Sequence, residues 1–229
     1  MLPKLTLNIS KIWRSEMKVL VLLTFLCMAG IASATYEITY PTQVISATAS
    51  SEYIPGTTAA SDTINRSGMS VFAGEDVHNY TYTNMWLSVG DIVNQHWIMW
   101  TFDQGYQIDT MSVWNYDQGG MAARGMRHTT IEYSLNGTNW TTLYADYVLA
   151  AAPAQSNYKC NNFIDFDGVT AKFIRFTAHA ITTGSDSGNW GDIDGKVGLS
   201  EVEFVVPEPA SLSVLALGGF ALFRRKCNF

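Results

Sequence analysis

The feature that most constrains the fold lies between residues 35 and 206, where short runs rich in β-branched and aromatic residues alternate with turn residues. No sustained helical period interrupts these runs, and such a pattern is typical of antiparallel β-structure. Asn136-Gly137 predicts a hairpin turn, because both residues tolerate a positive φ. Eight strands are predicted, at 43–50, 96–102, 108–115, 129–134, 140–144, 162–166, 172–178 and 199–206.

Eight short strands without long helices predict an all-β fold of two packed antiparallel sheets, a sandwich or jelly roll. Hydrophobic residues make up 47% of the chain, which is enough for a core. Residues 35–206 contain seven Lys and Arg against 18 Asp and Glu, a formal charge of −11. Nucleic acid is therefore excluded as the main partner, because binding the phosphate backbone needs clustered basic residues.

The N-terminal segment has the pattern of a secretory signal peptide. Lys18 precedes an apolar run at 19–31, and this run ends in Ala32-Ser33-Ala34. A basic start, a short apolar stretch and an A-x-A-like end are the parts of such a signal. We therefore expect residues 1–34 to be removed, and residues 1–16 to be an upstream extension if translation starts at Met17. A buried N-terminal helix is the alternative.

The C-terminal segment, 207–229, places Pro207-Glu208-Pro209 before a short apolar run at 211–223 and the basic cluster 224–226. This order predicts a transient membrane anchor whose basic end stays in the cytoplasm. It resembles the PEP-CTERM sorting signal of Gram-negative bacteria. The resemblance implies processing by an exosortase-type membrane enzyme and a final location on the outer surface or outside the cell. A plain C-terminal anchor is the alternative.

Only one cysteine, Cys160, lies between the two terminal segments, since Cys27 falls in the leader and Cys227 in the tail. No intramolecular disulfide is expected in the domain, although export would permit one. Its stability must therefore come from the core or from a bound ion. Whether Cys160 joins two chains stays open.

Several runs of the domain, taken in order, resemble the discoidin family, also called coagulation factor five/eight C-type domains. The run WIMWTFDQG at 97–105 is similar to the W-x-x-x-x-F-D-x-G strand of that family. The further matching runs are WN at 114–115, RG at 124–125, IEYSLNGTNW at 131–140, AKFIRF at 171–176 and GLSEVEF at 198–204. The resemblance covers nearly all of 44–205. It implies an eight-stranded jelly-roll sandwich, and bacterial members are often carbohydrate-binding modules with galactose-binding-like topology.

The resemblance also implies sugar contacts in loops at one end of the sandwich, where a rigid scaffold holds variable segments. Aromatic side chains would stack on the sugar ring, and polar side chains would bind its hydroxyl groups. The predicted sugar-binding residues are His78, Trp86, Asn115, Arg124 and Trp190. For both tryptophans the alternative is a loop residue packed over the end of the core, and for Arg124 it is a structural ion pair.

A structural Ca²⁺ is a second implication of the resemblance, held by a loop after the first strand and a Glu on the last. The matching residues are Asn65, Ser67, Ser200 and Glu201. Asn65-Arg66 stands where the family usually has Asp-Gly, and losing a carboxylate weakens a site for a hard cation. Backbone carbonyl oxygens and Asp62 are the available substitutes.

The four histidines fit no metal motif by their spacing, and His96, His128 and His179 are predicted to be structural. The chain also contains no G-x-S-x-G, H-E-x-x-H, phosphate loop or C-x-x-C. We therefore predict an exported, non-catalytic carbohydrate-binding protein of the cell surface or extracellular matrix. The alternative is a structural protein of the envelope or biofilm matrix that binds no soluble sugar.

Overall fold

The computed structural model describes residues 36–39, 44–91 and 95–207, with the backbone alone at 36–39 and 207. These residues form eleven strands: β1 (Tyr36–Thr39), β2 (Val44–Ala49), β3 (Met69–Phe72), β4 (Glu75–His78), β5 (Trp86–Leu87), β6 (Trp97–Asn115), β7 (His128–Ser134), β8 (Thr141–Val148), β9 (Tyr158–Lys159), β10 (Asn162–Ala178) and β11 (Gly198–Pro207). Short 3₁₀ turns occur at Ala60–Thr63, Tyr82–Asn84 and Ala122–Arg124. The predicted signal peptide and all of the predicted tail beyond Pro207 lie outside the described residues.

Two long strands, β6 and β10, organise the main sheet. They pair with each other, and the first part of β6 also pairs with β2 whereas its last part pairs with β11. The strand order is β1-β11-β6-β10-β7-β8, with β2 attached to β6 and β5 to β11. The register of the β6–β10 pair shifts between Asp165 and Val169 and between Ala171 and Phe173. Such irregularities bend strands, and both strands thereby enter both layers of an antiparallel sandwich.

The all-β sandwich is confirmed, but several strand boundaries differ from the prediction. The predicted strands 96–102 and 108–115 are one strand, as are 162–166 and 172–178. Asp167 and Gly168 have φ values of 49° and 67°, so these turn-forming residues shape an irregularity inside β10 and do not end it. A separate sheet of order β3-β4-β9 was not predicted. Within the three described ranges, no helix is long and apolar enough to span a bilayer.

The predicted hairpin turn between β7 and β8 is confirmed. Gly137 has a φ of 73°, a value that a residue with a side chain rarely adopts. The Asn136 Oδ1 atom accepts hydrogen bonds from the backbone N–H groups of Thr138 and Asn139, at 3.0 and 2.9 Å. The asparagine side chain therefore replaces backbone partners that the turn cannot supply.

The core between the two layers is rich in aromatic side chains. The Trp100 ring meets Phe176 and Phe204 edge to face, with ring centres 5.1 and 6.1 Å apart. Its Nε1 atom donates a hydrogen bond to Thr63 Oγ1 at 3.0 Å, so the buried indole has no unpaired donor. Burial of each large apolar side chain stabilises the fold by about 1.5–3 kcal/mol. The core thus provides a rigid support for the loops at its ends.

Candidate functional site

A cavity of about 430 Å³ lies beside Trp190. Its walls are formed by residues 181–184, 187 and 189–193, all in the connection from β10 to β11, together with Arg127, which directly precedes β7. The cavity contains the polar side chains of Thr182, Ser187 and Asp192 as well as the indole ring. Ile193 is 88% exposed, which is unusual for a side chain of its size and adds an apolar element to the wall.

Arg127 and Trp190 form a cation–π pair in this wall. The guanidinium carbon of Arg127 lies 4.5 Å from the centre of the Trp190 ring, within the distance at which the ring attracts a cation. The Trp190 backbone N–H donates to the Ala123 carbonyl oxygen at 3.0 Å. Both contacts hold the indole in place, so the aromatic surface does not depend on a flexible loop tip.

Asn189 and Gly188 fix the conformation of the loop that carries Trp190. The buried Asn189 side chain donates from Nδ2 to the carbonyl oxygens of Asp192 and Lys196, each at 3.0 Å. Its Oδ1 atom accepts from the Gly191 N–H at 3.0 Å. A Cβ atom at position 188 would lie 2.0 Å from the His179 carbonyl oxygen, so only glycine allows this close approach. The cavity wall is therefore largely preformed.

Arg124 is occupied by ion pairs. Its Nε atom lies 3.5 Å from Asp192 Oδ1, and its Nη2 atom lies 3.4 Å from Asp194 Oδ2. Only 13% of the Arg124 side chain is exposed. Lys196 and then Arg124 hold the pKa of Asp194 below its usual value. The geometry matches the structural ion pair that was the alternative for this residue, and Arg124 reaches the cavity only through Asp192, which lines it.

Three of the predicted sugar-binding residues, His78, Trp86 and Asn115, are completely buried. The Trp86 Nε1 atom donates to the Ser51 carbonyl oxygen at 2.9 Å, within the core. Asn115 Nδ2 donates to the carbonyl oxygens of Met126 and Ala150, at 2.7 and 2.9 Å. Because their polar atoms serve the fold and none is exposed, we correct the prediction and leave these three residues out of the candidate site.

His78 shows why composition misled the prediction. Its polar segment forms β4, which pairs with β3 and β9 and buries the imidazole ring. The ring nitrogens face the carbonyl oxygens of Asn79 at 2.5 Å and Ser67 at 3.1 Å. Burial lowers the pKa of His78 despite these contacts. The ring thus holds two loops together and is not aimed at solvent.

Sequence reasoning missed Arg127, which forms half of the pair in the cavity wall. It stands three positions after Arg124 and carries no motif of its own. Its relation to Trp190 arises because the β10–β11 connection passes beside the start of β7, where the Arg127 N–H donates to the Gly188 carbonyl oxygen at 2.9 Å. No local signal in the sequence could reveal this contact.

Glu201 on β11 is the unusual member of the predicted calcium ligands. Both of its carboxyl oxygens are buried, and no side chain among the described residues donates a hydrogen bond to them. Burial, followed by the charge of Glu203, raises the pKa of Glu201 to about 9. The Arg66 charge and backbone act in the opposite direction, which places Glu201 close to the loop that contains Asn65 and Ser67. Burial therefore favours the protonated form of Glu201, and the ionised form requires a cation beside it.

The side chains of the other three predicted ligands are occupied. Asn65 Oδ1 accepts from the Ser67 N–H at 2.6 Å, and Ser67 Oγ donates to Asn84 Oδ1 at 2.9 Å. Ser200 Oγ donates to the Asn115 carbonyl oxygen at 2.8 Å. The carboxyl group of Glu201 has the chemistry that a hard cation requires, and backbone carbonyl groups of the neighbouring loop are a source of further oxygens.

An antiparallel β-sandwich with a preformed cavity in its end loops defines the class of galactose-binding-like domains. Residues 46–195 match the model of the F5/8 type C domain, and the chain belongs to this family. A search of curated proteins found no match.

Three solved structures illustrate what this chain is similar to. A mutant of the lectin binding domain of lectinolysin, complexed with Lewis b, has a TM-score of 0.51 at 12% identity and covers 74% of this chain and 97% of its own. The module CpGH89CBM32-5 from Clostridium perfringens, in complex with GalNAc-beta-1,3-galactose, has a TM-score of 0.47 at 13% identity. The match covers 69% of this chain and 93% of that module. Chitosan-binding module 1 of a chitosanase/glucanase from Paenibacillus sp. IK-5, in mutant form, has a TM-score of 0.45 at 21% identity. The match covers 70% of this chain and 92% of that module. The lectinolysin domain shares the fold of this chain.

Proposed function

We propose that this protein binds carbohydrate, without catalysing a reaction, in the cavity beside Trp190. The observation that carries the proposal is the Arg127–Trp190 pair in the wall of a cavity that also presents hydroxyl and carboxylate groups. A sugar ring has an apolar face that suits an indole and hydroxyl groups that suit polar side chains. The volume of about 430 Å³ lies within the roughly 300–1,000 Å³ of small-ligand sites.

The residues of the cavity take distinct roles in this proposal. Trp190 provides the stacking surface, and Asp192 accepts hydrogen bonds from sugar hydroxyl groups. Arg124 holds Asp192 through the ion pair at 3.5 Å and so acts as a positioning residue. The membership of the chain in the F5/8 type C family supports the proposal, as does the Lewis b complex of the lectinolysin domain that shares its fold.

A structural Ca²⁺ at Glu201 is the second part of the proposal. The support is the buried carboxyl group of Glu201, which receives no side-chain hydrogen bond among the described residues. Calcium prefers oxygen ligands, and backbone carbonyl groups of the 64–68 loop are of the right chemical type. The ion would neutralise Glu201 and join the last strand to this loop. The side chains of Asn65, Ser67 and Ser200 already make hydrogen bonds within the fold, so the proposal depends mainly on Glu201 and backbone oxygens.

Export is the third part, and its support is the sequence pattern alone. Residues 1–34 would direct secretion and be removed, and residues 207–229 would anchor the chain briefly in the membrane until an exosortase-type enzyme processes it. The protein would then act on the outer surface or in the extracellular matrix. N-terminal sequencing of the exported protein tests the first step, and we expect it to begin at Thr35.

The sugar-binding proposal is tested by a glycan array with the full-length chain, followed by calorimetry with the best ligand. Trp190→Ala is expected to weaken binding roughly fivefold to thirtyfold, since one stacking aromatic is worth about 1–2 kcal/mol. The matched control is Trp140→Ala, because Arg175 lies over the Trp140 ring at 4.2 Å but this pair is not part of the cavity. Equal affinities of the two variants would overturn the site. A wild-type chain that binds no glycan would favour the structural matrix protein.

A further inference from the structure

Three potential metal ligands meet on neighbouring strands of the main sheet. His128 is the first residue of β7, Asp146 lies in β8, and His179 follows the last residue of β10. The ligand atoms of these three side chains all lie within 4.8 Å of one another. Strand β7 pairs with both β10 and β8, and the His179 N–H donates to the His128 carbonyl oxygen at 2.8 Å. A rigid part of the sheet therefore holds the cluster.

The distances within the cluster suit a tetrahedral cation. Asp146 Oδ1 lies 2.8 Å from His128 Nδ1 and 4.0 Å from His179 Nδ1. Two ligands of a tetrahedral zinc ion with bonds of about 2.0 Å are about 3.3 Å apart, a value between these two distances. The three ligand atoms thus lie close enough together to surround one ion after side-chain adjustment.

The orientation of His179 is that of a metal ligand. Its Nε2 atom lies 3.2 Å from the Ala145 carbonyl oxygen. A nitrogen that faces a carbonyl oxygen carries its hydrogen there, so in the neutral ring the lone pair is on Nδ1, which faces Asp146. A cation between this nitrogen and the carboxylate would bind to both groups. Metal-bound histidines typically donate their second N–H to a backbone carbonyl in this way.

We propose that His128, Asp146 and His179 form a binding site for a divalent transition-metal cation of the zinc type. Imidazole nitrogens suit Zn²⁺, Cu²⁺ and Ni²⁺, whereas Ca²⁺ takes oxygen ligands, so the ion differs from the one proposed at Glu201. Asp146 is 51% exposed and His179 28% exposed, which leaves room for water to complete the coordination shell. Sequence spacing could not reveal the site, because each ligand comes from a different strand.

The first experiment titrates Zn²⁺ into the tag-free full-length chain by calorimetry, after treatment with a chelator and dialysis. We expect one ion per chain and at least tenfold weaker binding by Asp146→Asn. Asp103→Asn removes an exposed carboxylate of β6 outside the cluster and is expected to bind as the wild type does. Equal affinity in this variant would show that the ion binds without Asp146, for example at the three cysteines, which the variant retains, and would overturn the site.

A second measurement requires no variant to fold. Imidazole resonances of the wild-type chain are followed by NMR during the zinc titration. His128 and His179 are expected to shift or broaden, whereas His78 and His96, which are buried and bonded to backbone carbonyl groups, are expected to stay unchanged. Unchanged His128 and His179 resonances at saturating Zn²⁺ would mean that these residues only pair with Asp146, and the proposal would fail.

Discussion

The guanidinium group of Arg127 lies over the indole ring of Trp190, 4.5 Å from its centre, in the wall of the cavity. The same geometry occurs outside the cavity, where Arg175 lies 4.2 Å from the centre of the Trp140 ring. Arg175 is also bound by Glu132, at 2.7 Å, whereas no ion pair of Arg127 is found among the described residues. The two pairs therefore allow a direct comparison between an arginine–tryptophan contact in the cavity wall and one outside the cavity.

Arg127→Met keeps most of the side-chain volume over Trp190 and removes the charge. We expect sugar affinity to fall roughly threefold to tenfold, because a cation–π contact of about 1 kcal/mol no longer fixes the indole. Arg175→Met provides the control and is expected to leave the affinity unchanged. Calorimetry with the best glycan measures both variants, and equal losses in both would show that the cavity plays no special part.

Trp86→Ala is expected to lower the free energy of unfolding by about 3–5 kcal/mol, because the variant leaves a large cavity in the core. Trp86→Phe should lower the free energy of unfolding by clearly less, since this variant loses mainly the hydrogen bond to Ser51 and part of the ring. Urea denaturation measures both effects. Sugar affinity of the folded Trp86→Phe variant should equal that of the wild type; a large loss of affinity without a loss of stability would return Trp86 to the binding site.

Calcium removal is expected to lower the melting temperature of the wild-type chain, because an ion that binds only the folded state stabilises it. In Glu201→Gln the melting temperature should no longer respond to calcium, since the buried carboxylate that attracts the ion is gone. Glu132→Gln removes a carboxylate that is paired with Arg175 and should retain the response. Differential scanning fluorimetry with and without a chelator makes the comparison. A wild-type protein indifferent to calcium would exclude the ion.

Asp117 makes stability depend on pH. It is completely buried, and burial raises its pKa from 3.8 to about 7, although Oδ1 accepts hydrogen bonds from the backbone of Ala154 and Gln155. The folded state therefore keeps a proton that the unfolded chain has already released. Protonation of Asp117 therefore affects the free energy of unfolding. This free energy is highest below about pH 4, falls as the pH rises towards 7, and does not change further above that pH.

Asp117→Asn removes that titration while it keeps an oxygen for Ala154. Relative to the variant, the wild type is expected to lose at most about 1.4 kcal/mol of stability per pH unit between pH 4 and pH 7. Urea denaturation at several pH values measures the difference between the two proteins. If the difference in stability between wild type and variant is the same at every pH, Asp117 is ionised in the folded protein throughout this range.

The sequence was sufficient to predict the fold, because the alternating pattern in 173–177 and the Asn136-Gly137 turn depend on local physics. It was not sufficient for strand ends. Gly105 and Asp167-Gly168 have the composition of turns, yet the long strands β6 and β10 continue through them. Whether such residues end a strand or only distort it depends on whether a neighbouring strand continues beside them.

The candidate site was predictable only in part. Trp190 could be singled out because an aromatic residue among Gly, Asn and Ser does not fit a strand, and it lies in the wall of the candidate cavity. His78 and Asn115 were misplaced, because polar residues can be buried once backbone carbonyl groups satisfy them. Arg127 and the His128–Asp146–His179 cluster depend on contacts between distant strands, which a single sequence does not encode in any short pattern.

The continuity of β6 and β10 determines how the domain can open. Each strand lends one portion to each layer, so neither layer can detach without depriving the other of a central strand. Backbone amides of both layers should therefore exchange with deuterium only when the whole domain unfolds cooperatively. Strands β1 and β11 come from opposite ends of the domain and pair with each other, and pairing between such distant segments makes refolding slow. A substitution that breaks either long strand should therefore unfold the whole domain in one step.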